Sequence, residues 1–483
     1  MMDQRKICLI FGAAISPIVR VRMDYSFRLF AAIYGYSVAE PSDRSARRVV
    51  YGGASLGEDR AGAIRIPARY DPRATQTALP HFDTIRYADE TFSVIHGVDE
   101  STGDPDWLGE IFEWVSGGLE QSIAARDSVG RIPYSETAFS KRGLSPFKPH
   151  AALLMAWFED VLQERNRKLV KPTSPSPHFE HAVICSHDLD FHFTGTQSAL
   201  SRIGKNVLIA ARDYRSASFF ASNLRMAAQV CAGAAVGNYL PEMFERIESM
   251  GFRSTIFVVA NGSHRRDPNY NLEEVAVHLN QAASRGFEIA LHGSYDSNWI
   301  SGKLRSEAAR LGQVMGKKPL GSRQHWLRFN RHEDLYREVR MSDLLYDSSL
   351  GFCETHGFRN GANFALPPYD FAHERPCSFL EIPMVLMDGN LQSASQSLRA
   401  DPQVLADDLL SESRKWGWGG VSILWHNPID PIQVPEEINR VFWQLAEQRS
   451  RHAETWMTAE EFMRLSLARY HNAGLLKELS FNA

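Results

Sequence analysis

The sequence predicts an α/β protein in two parts. A smaller α/β domain fills residues 1–170. A linker follows at 171–180, and a larger unit built of parallel βα repeats fills 181–470. Three observations predict this. Through the second half, helix-spaced apolar stretches alternate with short runs of β-branched and aromatic residues, the pattern of parallel strands joined by helices. Glycines mark the helix-to-strand joints at Gly251, Gly286 and Gly420. Between the halves, KPTSPSPH at 171–178 carries three prolines and two serines in eight residues, which disfavours packed structure.

The elements follow in order. RKICLIFGAAISPIV has a basic start and an apolar stretch, but RVRM follows at once, with no polar stretch ending in a small-residue cleavage site. It therefore reads as a buried first strand at 7–12, and the expected location is cytoplasmic. YSFRLFAAIYGYSVA reads as a helix stopped near Gly35 and followed by a strand. RRVVYGG reads as a short strand. DWLGEIFEWVSGGLEQSIAARD and PHAALLMAWFEDVLQERNRKL have the apolar spacing of helices. After the linker, HAVICSHD is a strand. PEMFERIESMGFRSTIFVVA and NLEEVAVHLNQAASRGFEIALHG each read as helix, glycine, strand. MSDLLYDSS holds a short strand, and DPQVLADDLLSESRKWGWGGVSILWHN closes with a strand at 421–425.

Composition excludes several function classes. The 483 residues are 44% hydrophobic and 23% charged with a net charge of −4, so a sizeable core is expected and a nucleic-acid partner is not. No run approaches the roughly 20 apolar residues of a membrane span. Five cysteines, none close to another in sequence, argue against a disulfide framework and a cysteine-based zinc site.

Candidate chemistry gathers at strand ends. The first strand of the second half ends in SHDLD, a later one in LHGSYDS, and the last in LWHNP. In parallel α/β folds these ends converge on one face, where ligands bind. Asp188 and Asp190 lie two apart and point the same way on extended backbone. Carboxylates that close repel unless a cation lies between them. A divalent metal, zinc foremost, satisfies both and accepts His292 as an imidazole ligand. A metal-acidified water then needs a base, and the leaving group needs an acid. Asp188 and His426 fit these roles. His187 alone reads as structural.

In this light residues 181–465 resemble the polysaccharide deacetylase barrel (NodB homology, carbohydrate esterase family four). SHDLD at 186–190 resembles the family's T-F-D-D-G motif, and HGSYD at 292–296 its H-S-x-x-H motif. GSRQHWLRF at 321–329 falls at the Arg motif, YDSSLGF at 346–352 at the Asp motif, and ILWH at 423–426 matches L-x-L-H. The N-terminal region also resembles the leader domain of an HDVD-type subgroup, which implies little about function.

The resemblance implies a distorted (β/α)7 TIM-like barrel and metal-dependent removal of an acetyl group, N-acetyl before O-acetyl, from an acetylated carbohydrate. It implies Asp188 as general base and His426 as general acid. Arg323 would hold the charge of Asp188, and Asp347 would support the His side. His292 would bind metal. Leu189 stands where the family has its metal Asp, so Asp190 is the expected replacement. Asp296 stands where the family has its second metal His, so Asp296 and His325 both remain candidates for the third ligand. Trp299, Trp326, Trp418 and Trp425 are candidates to stack on sugar, or else pack in the core or rim. Arg359, in a long loop at 357–371, would meet an acidic sugar or form a salt bridge. Two other readings stay open: a glycoside hydrolase on the same barrel, and a catalytically degenerate barrel that only binds carbohydrate.

Overall fold

The computed structural model describes residues 5–53, 63–73, 79–164, 168–169, 171–172, 181–192, 200–201, 203–204, 207–208, 217–232, 239–268, 270–417, 419–430, 434–452 and 454–476. Residues 173–180 of the expected linker and Trp418 lie outside them.

The N-terminal part holds a parallel sheet of β1 (Lys6–Phe11), β2 (Ser37–Val38), β3 (Arg47–Tyr51) and β4 (Ile64–Ile66), in the order β2-β1-β3-β4. Helix Pro17–Tyr34 crosses from β1 to β2. It starts with Pro at its first position and ends at Gly35, whose φ of +70° lets the chain turn without a Cβ clash. The helix expected from residue 106 onward is shorter than its apolar spacing suggests. It spans Trp107–Val115, and Gly117, at φ +79°, diverts the chain into a 3-10 turn. A hairpin of β5 (Asp83–Tyr87) and β6 (Glu90–Val94) was not expected.

The second half is a parallel sheet curled into a distorted barrel. Its strands are β7 (His181–Leu189), β8 (Thr255–Val258), β9 (Glu288–Gly293), β10 (Gly321–Gln324) and β11 (Tyr346–Asp347). A two-stranded ribbon of β12 (Tyr369–Asp370) and β13 (Arg375–Pro376) interrupts them. Then come β14 (Leu380–Glu381), β15 (Met384–Met387), β16 (Gly420–Leu424) and β17 (Glu454–Met457). The order is β14-β11-β10-β9-β8-β7-β16-β15, with β17 also on β7. The two ends of that path, β14 and β15, are separated by only Ile382 and Pro383 in the chain. One interrupted segment therefore meets β11 on one side and β16 on the other, and it draws the sheet round. Counting it once gives seven strand positions, with β17 as an added short strand.

The helices between strands pack outside. Leu272–Ser284 is representative: Asn271 caps it by accepting from the Glu273 N–H, and Leu272, Val275 and Leu279 turn inward. At the bottom of the barrel the Glu288 carboxylate accepts from the hydroxyls of Thr255 and Tyr346, both at 2.7 Å, and from the Glu460 N–H at 2.8 Å. Gly321 leaves room for the Tyr346 ring, which would stand about 2.0 Å from any Cβ there.

The two halves share an apolar cluster, beside a second one whose buried residues all belong to the barrel. One apolar cluster runs from Phe27, Trp114 and Trp157 of the N-terminal part to Tyr346, Tyr369, Leu380 and Met463 of the barrel. Buried polar ties cross the same boundary. Arg359 donates to both Glu120 carboxylate oxygens, at 2.9 and 2.7 Å, and the ring of His332 lies 2.9 Å from Glu120.

Candidate active site

Strand alternation sorts the first motif. Along β7, Cys185 and His187 turn outward, where His187 Nδ1 lies 2.7 Å from the Trp425 carbonyl. Ser186 and Asp188 turn inward, and Asp190, one residue past the strand, follows them. Neighbouring strands in parallel register bring the other groups to the same end. Arg323 pairs with His292 across β10 and β9.

Asp188 is bound by Arg323, whose Nη1 lies 2.8 Å from its Oδ1. The guanidinium is fixed in turn by donating to Ser186 Oγ, the Ser348 carbonyl and Ser348 Oγ at 2.9–3.0 Å. It also lies over the Phe257 ring, 4.2 Å from its centre. Asp188 Oδ2 is left toward the cavity, 3.6 Å from His292 Nε2.

Asp190, His292 and His325 offer three donor atoms within 4.8 Å of one another. His292 Nδ1 lies 2.9 Å from the Arg323 carbonyl. A carbonyl only accepts, so Nδ1 carries a proton and Nε2 is the ring nitrogen turned to the cavity. Nε2 is 3.5 Å from Asp190 Oδ1, a buried oxygen with no hydrogen-bond partner among the described residues. His325 Nε2 is 3.8 Å from the other Asp190 oxygen, and the two imidazoles stack with ring centres 5.0 Å apart. Burial alone would raise the Asp190 carboxyl. The rings of His325, His292 and His426 outweigh it and hold the group well below the usual carboxylate range. An unsatisfied buried oxygen facing two imidazoles is a donor set suited to a divalent cation.

His426 closes the far side. Its Nε2 is 3.5 Å from Asp190 Oδ2, and its Nδ1 is 2.9 Å from Asp388 Oδ1. Asp388 also accepts the His426 backbone N–H at 2.8 Å. Burial favours the neutral ring, but Asp388, with Asp190 and Asp188, pushes its pKa up to about 10. That shift favours the protonated ring.

Several expected positions resolve differently. Asp347 does not reach His426. It is buried between Ser322 Oγ at 2.6 Å and the Ser349 N–H at 2.9 Å, and burial raises its carboxyl. Asp388 stands where Asp347 was expected. Asp296 pairs with Arg328 at 3.3 Å, outside the three-donor group, which contains His325 instead. Arg359 is buried against Glu120. Trp425 is fully buried and belongs to the core. Trp299 is 40% exposed beneath Arg328, whose guanidinium lies 3.5 Å from its ring centre. Trp326 is 43% exposed at the cavity wall. It and Leu327 hold φ of +65° and +49°, a strained conformation that side chains rarely adopt and that clusters near functional sites.

Asp188, Asp190, His292, His325 and His426 all line one cavity of about 570 Å³ at the C-terminal ends of the strands. Trp326, Cys353 and, from the N-terminal part, Arg131 also line it. Among the described residues no helix is long and apolar enough to cross a membrane.

No family model and no curated protein matches the chain. Solved structures with a similar fold include Puue allantoinase, at 14% identity and a TM-score of 0.38, covering 63% of this chain and 95% of that one. A polysaccharide deacetylase from Bacillus cereus is similar at 10% identity and a TM-score of 0.28, over 46% of this chain and 86% of that one. A family 4 carbohydrate esterase from Streptomyces lividans matches at 10% identity and a TM-score of 0.28, over 57% and 91%. These likenesses concern the fold alone.

Proposed function

We propose that this chain is a metal-dependent hydrolase that removes an acetyl group, in the first instance N-acetyl, from a sugar of a glycan or glycan precursor. The observation that carries the reading is the sharing of one cavity by three groups: the Asp190, His292 and His325 donors, the Asp188–Arg323 pair and the His426–Asp388 pair. A divalent ion held by the three donors, zinc by their chemistry, would polarise the acetyl carbonyl and acidify a water. Asp188 takes the proton of the attacking water through Oδ2 while Arg323 keeps the carboxylate aimed. His426 gives its Nε2 proton to the amine nitrogen as the C–N bond breaks, releasing acetate and the free amino sugar. Asp388 holds that ring upright and protonated.

Cleavage of a glycosidic bond fits less well. Asp188 and Asp190 both approach the same His292 nitrogen, at 3.6 and 3.5 Å, so they share one side of the cavity and do not flank a substrate bond. A cytoplasmic setting, and with it a glycan precursor as substrate, belongs to the same proposal. It rests on the burial of Ile7 and Cys8 in β1 and on five free cysteines.

The test is acetate release from N-acetylated sugars by the zinc-loaded chain. Release should stop with a chelator and return with zinc. Sugar binding that survives metal removal, with no acetate from any acetylated sugar, would overturn the proposal in favour of a binding barrel.

A further inference from the structure

We infer that the acetylated sugar this cavity accepts carries an anionic group, a carboxylate or a phosphate, and that the N-terminal part of the chain helps to bind it through Arg131. The inference rests on the hydrolase reading for the acetyl group; the anion contacts are separate from it.

Three arginines line the cavity: Arg131, Arg265 and Arg266. Arg131 comes from the N-terminal part and is held in place. Its Nε donates to Asp127 at 2.8 Å and its Nη1 to the Trp326 carbonyl at 2.9 Å. Trp326 directly follows His325, so this guanidinium is anchored one residue from a candidate metal ligand. Arg265 and Arg266 come from the loop after β8. Arg266 donates to the Tyr295 hydroxyl and lies 5.1 and 5.2 Å from the ring centres of Tyr295 and Trp326. Among the described residues neither Arg265 nor Arg266 forms an ion pair.

The carboxylates of the cavity are engaged elsewhere. Asp188 is bound by Arg323, and Asp190 faces three imidazoles. Asp267 accepts the backbone N–H groups of Ser263, His264 and Tyr295. Arg265 and Arg266, without an ion pair among the described residues, stand with Arg131, whose Nε is paired with Asp127, around a floor arranged to hold a cation, and they make a positive concavity that concentrates anions. A neutral sugar needs only hydroxyl partners and a ring to stack on, and Trp326 offers the ring. Guanidinium forks match carboxylate and phosphate geometry.

Titration calorimetry on the full zinc-loaded chain tests this with three probes: N-acetylglucosamine 1-phosphate, N-acetylmuramic acid and neutral N-acetylglucosamine. At least one anionic sugar should bind tenfold or more tighter than the neutral one. Which one does so separates phosphate from carboxylate. The advantage should shrink at high salt. It should fall at least tenfold in an Arg265→Gln, Arg266→Gln double variant, and Arg131→Lys should keep more of it than Arg131→Gln. Equal binding of all three sugars, or an advantage untouched in the double variant, overturns the inference. An anion preference without acetate release would sink the hydrolase reading alone. Acetate release with no anion preference would sink only this one.

Discussion

Asp388 grips His426 at two points, the ring Nδ1 and the backbone N–H. Asp388→Asn keeps the shape but removes the charge that holds the ring protonated. If His426 is the proton donor, kcat should fall about 100-fold with KM little changed, since positioned acid–base groups typically contribute at least that much. Steady-state acetate release over a pH series measures it, and an unchanged kcat would remove His426 from the chemistry. The metal donors separate as cleanly. Elemental analysis should find stoichiometric zinc in Asp296→Ala, whose side chain is engaged with Arg328, and little in Asp190→Ala, His292→Ala or His325→Ala. Zinc retained in His325→Ala and lost in Asp296→Ala would reverse the assignment. Most of these residues were legible because each ends its own strand and alternation orients it. Asp388 was not. It follows β15, which no apolar alternation announces, and it meets His426 only because Met387 pairs with Leu424. Asp347 was a plausible partner by motif order, but Ser322 Oγ and the Ser349 N–H hold it within its own part of the sheet, whereas Asp388 follows the strand that pairs directly with β16.

The helices and long strands were legible for the same reason: each repeats its apolar period for several turns or pairs. The two-residue strands β12, β13 and β14 carry too few residues to show any period, whereas β11, equally short, was read from the run MSDLLYDSS, and the closing of the barrel through β14 and β15 is a tertiary event. Also hidden was the joint between the 3-10 turn Gly118–Glu120 and the barrel loop that holds Arg359. Burial alone would raise the Glu120 carboxyl, but Arg359 and His332 hold it well below its ordinary range. Breaking such a pair from one side leaves a buried charge without compensation, whereas replacing both partners removes the need for it. Arg359→Met should therefore lower stability by about 3–5 kcal/mol. Adding Glu120→Leu should restore most of the loss, a non-additivity expected of residues in contact. Urea unfolding of the two variants and the wild type measures this. Additive losses would show that the pair contributes little as a pair.

At the scale of the whole molecule, one apolar core joins the N-terminal part to the barrel, so the proline-rich segment that divides the sequence does not divide the packing. The mouth of the barrel carries the candidate site, and its floor is closed by a polar plug. Glu288 is buried there, and burial pushes its carboxyl up to about 7 despite its bonds to Thr255, Tyr346 and the first turn of helix Ala459–Asn472. The sign follows from linkage. In the unfolded chain this side chain loses its proton near pH 4.5, while the folded barrel keeps it until about pH 7. Stability is therefore highest below the lower value and is lost as pH rises to the upper one, beyond which the loss is constant. Glu288→Gln does not titrate. Its carbonyl can still accept from Thr255 and the Glu460 N–H, and its amide can donate to the Tyr346 oxygen. The variant should gain on the wild type by up to about 3 kcal/mol between pH 5 and 8. Thermal unfolding of both proteins at the two pH values reads the effect as a Tm gap that moves toward the variant as pH rises. A gap that stays flat would mean that Glu288 is already ionised in the folded barrel and that the plug is an ordinary solvated carboxylate.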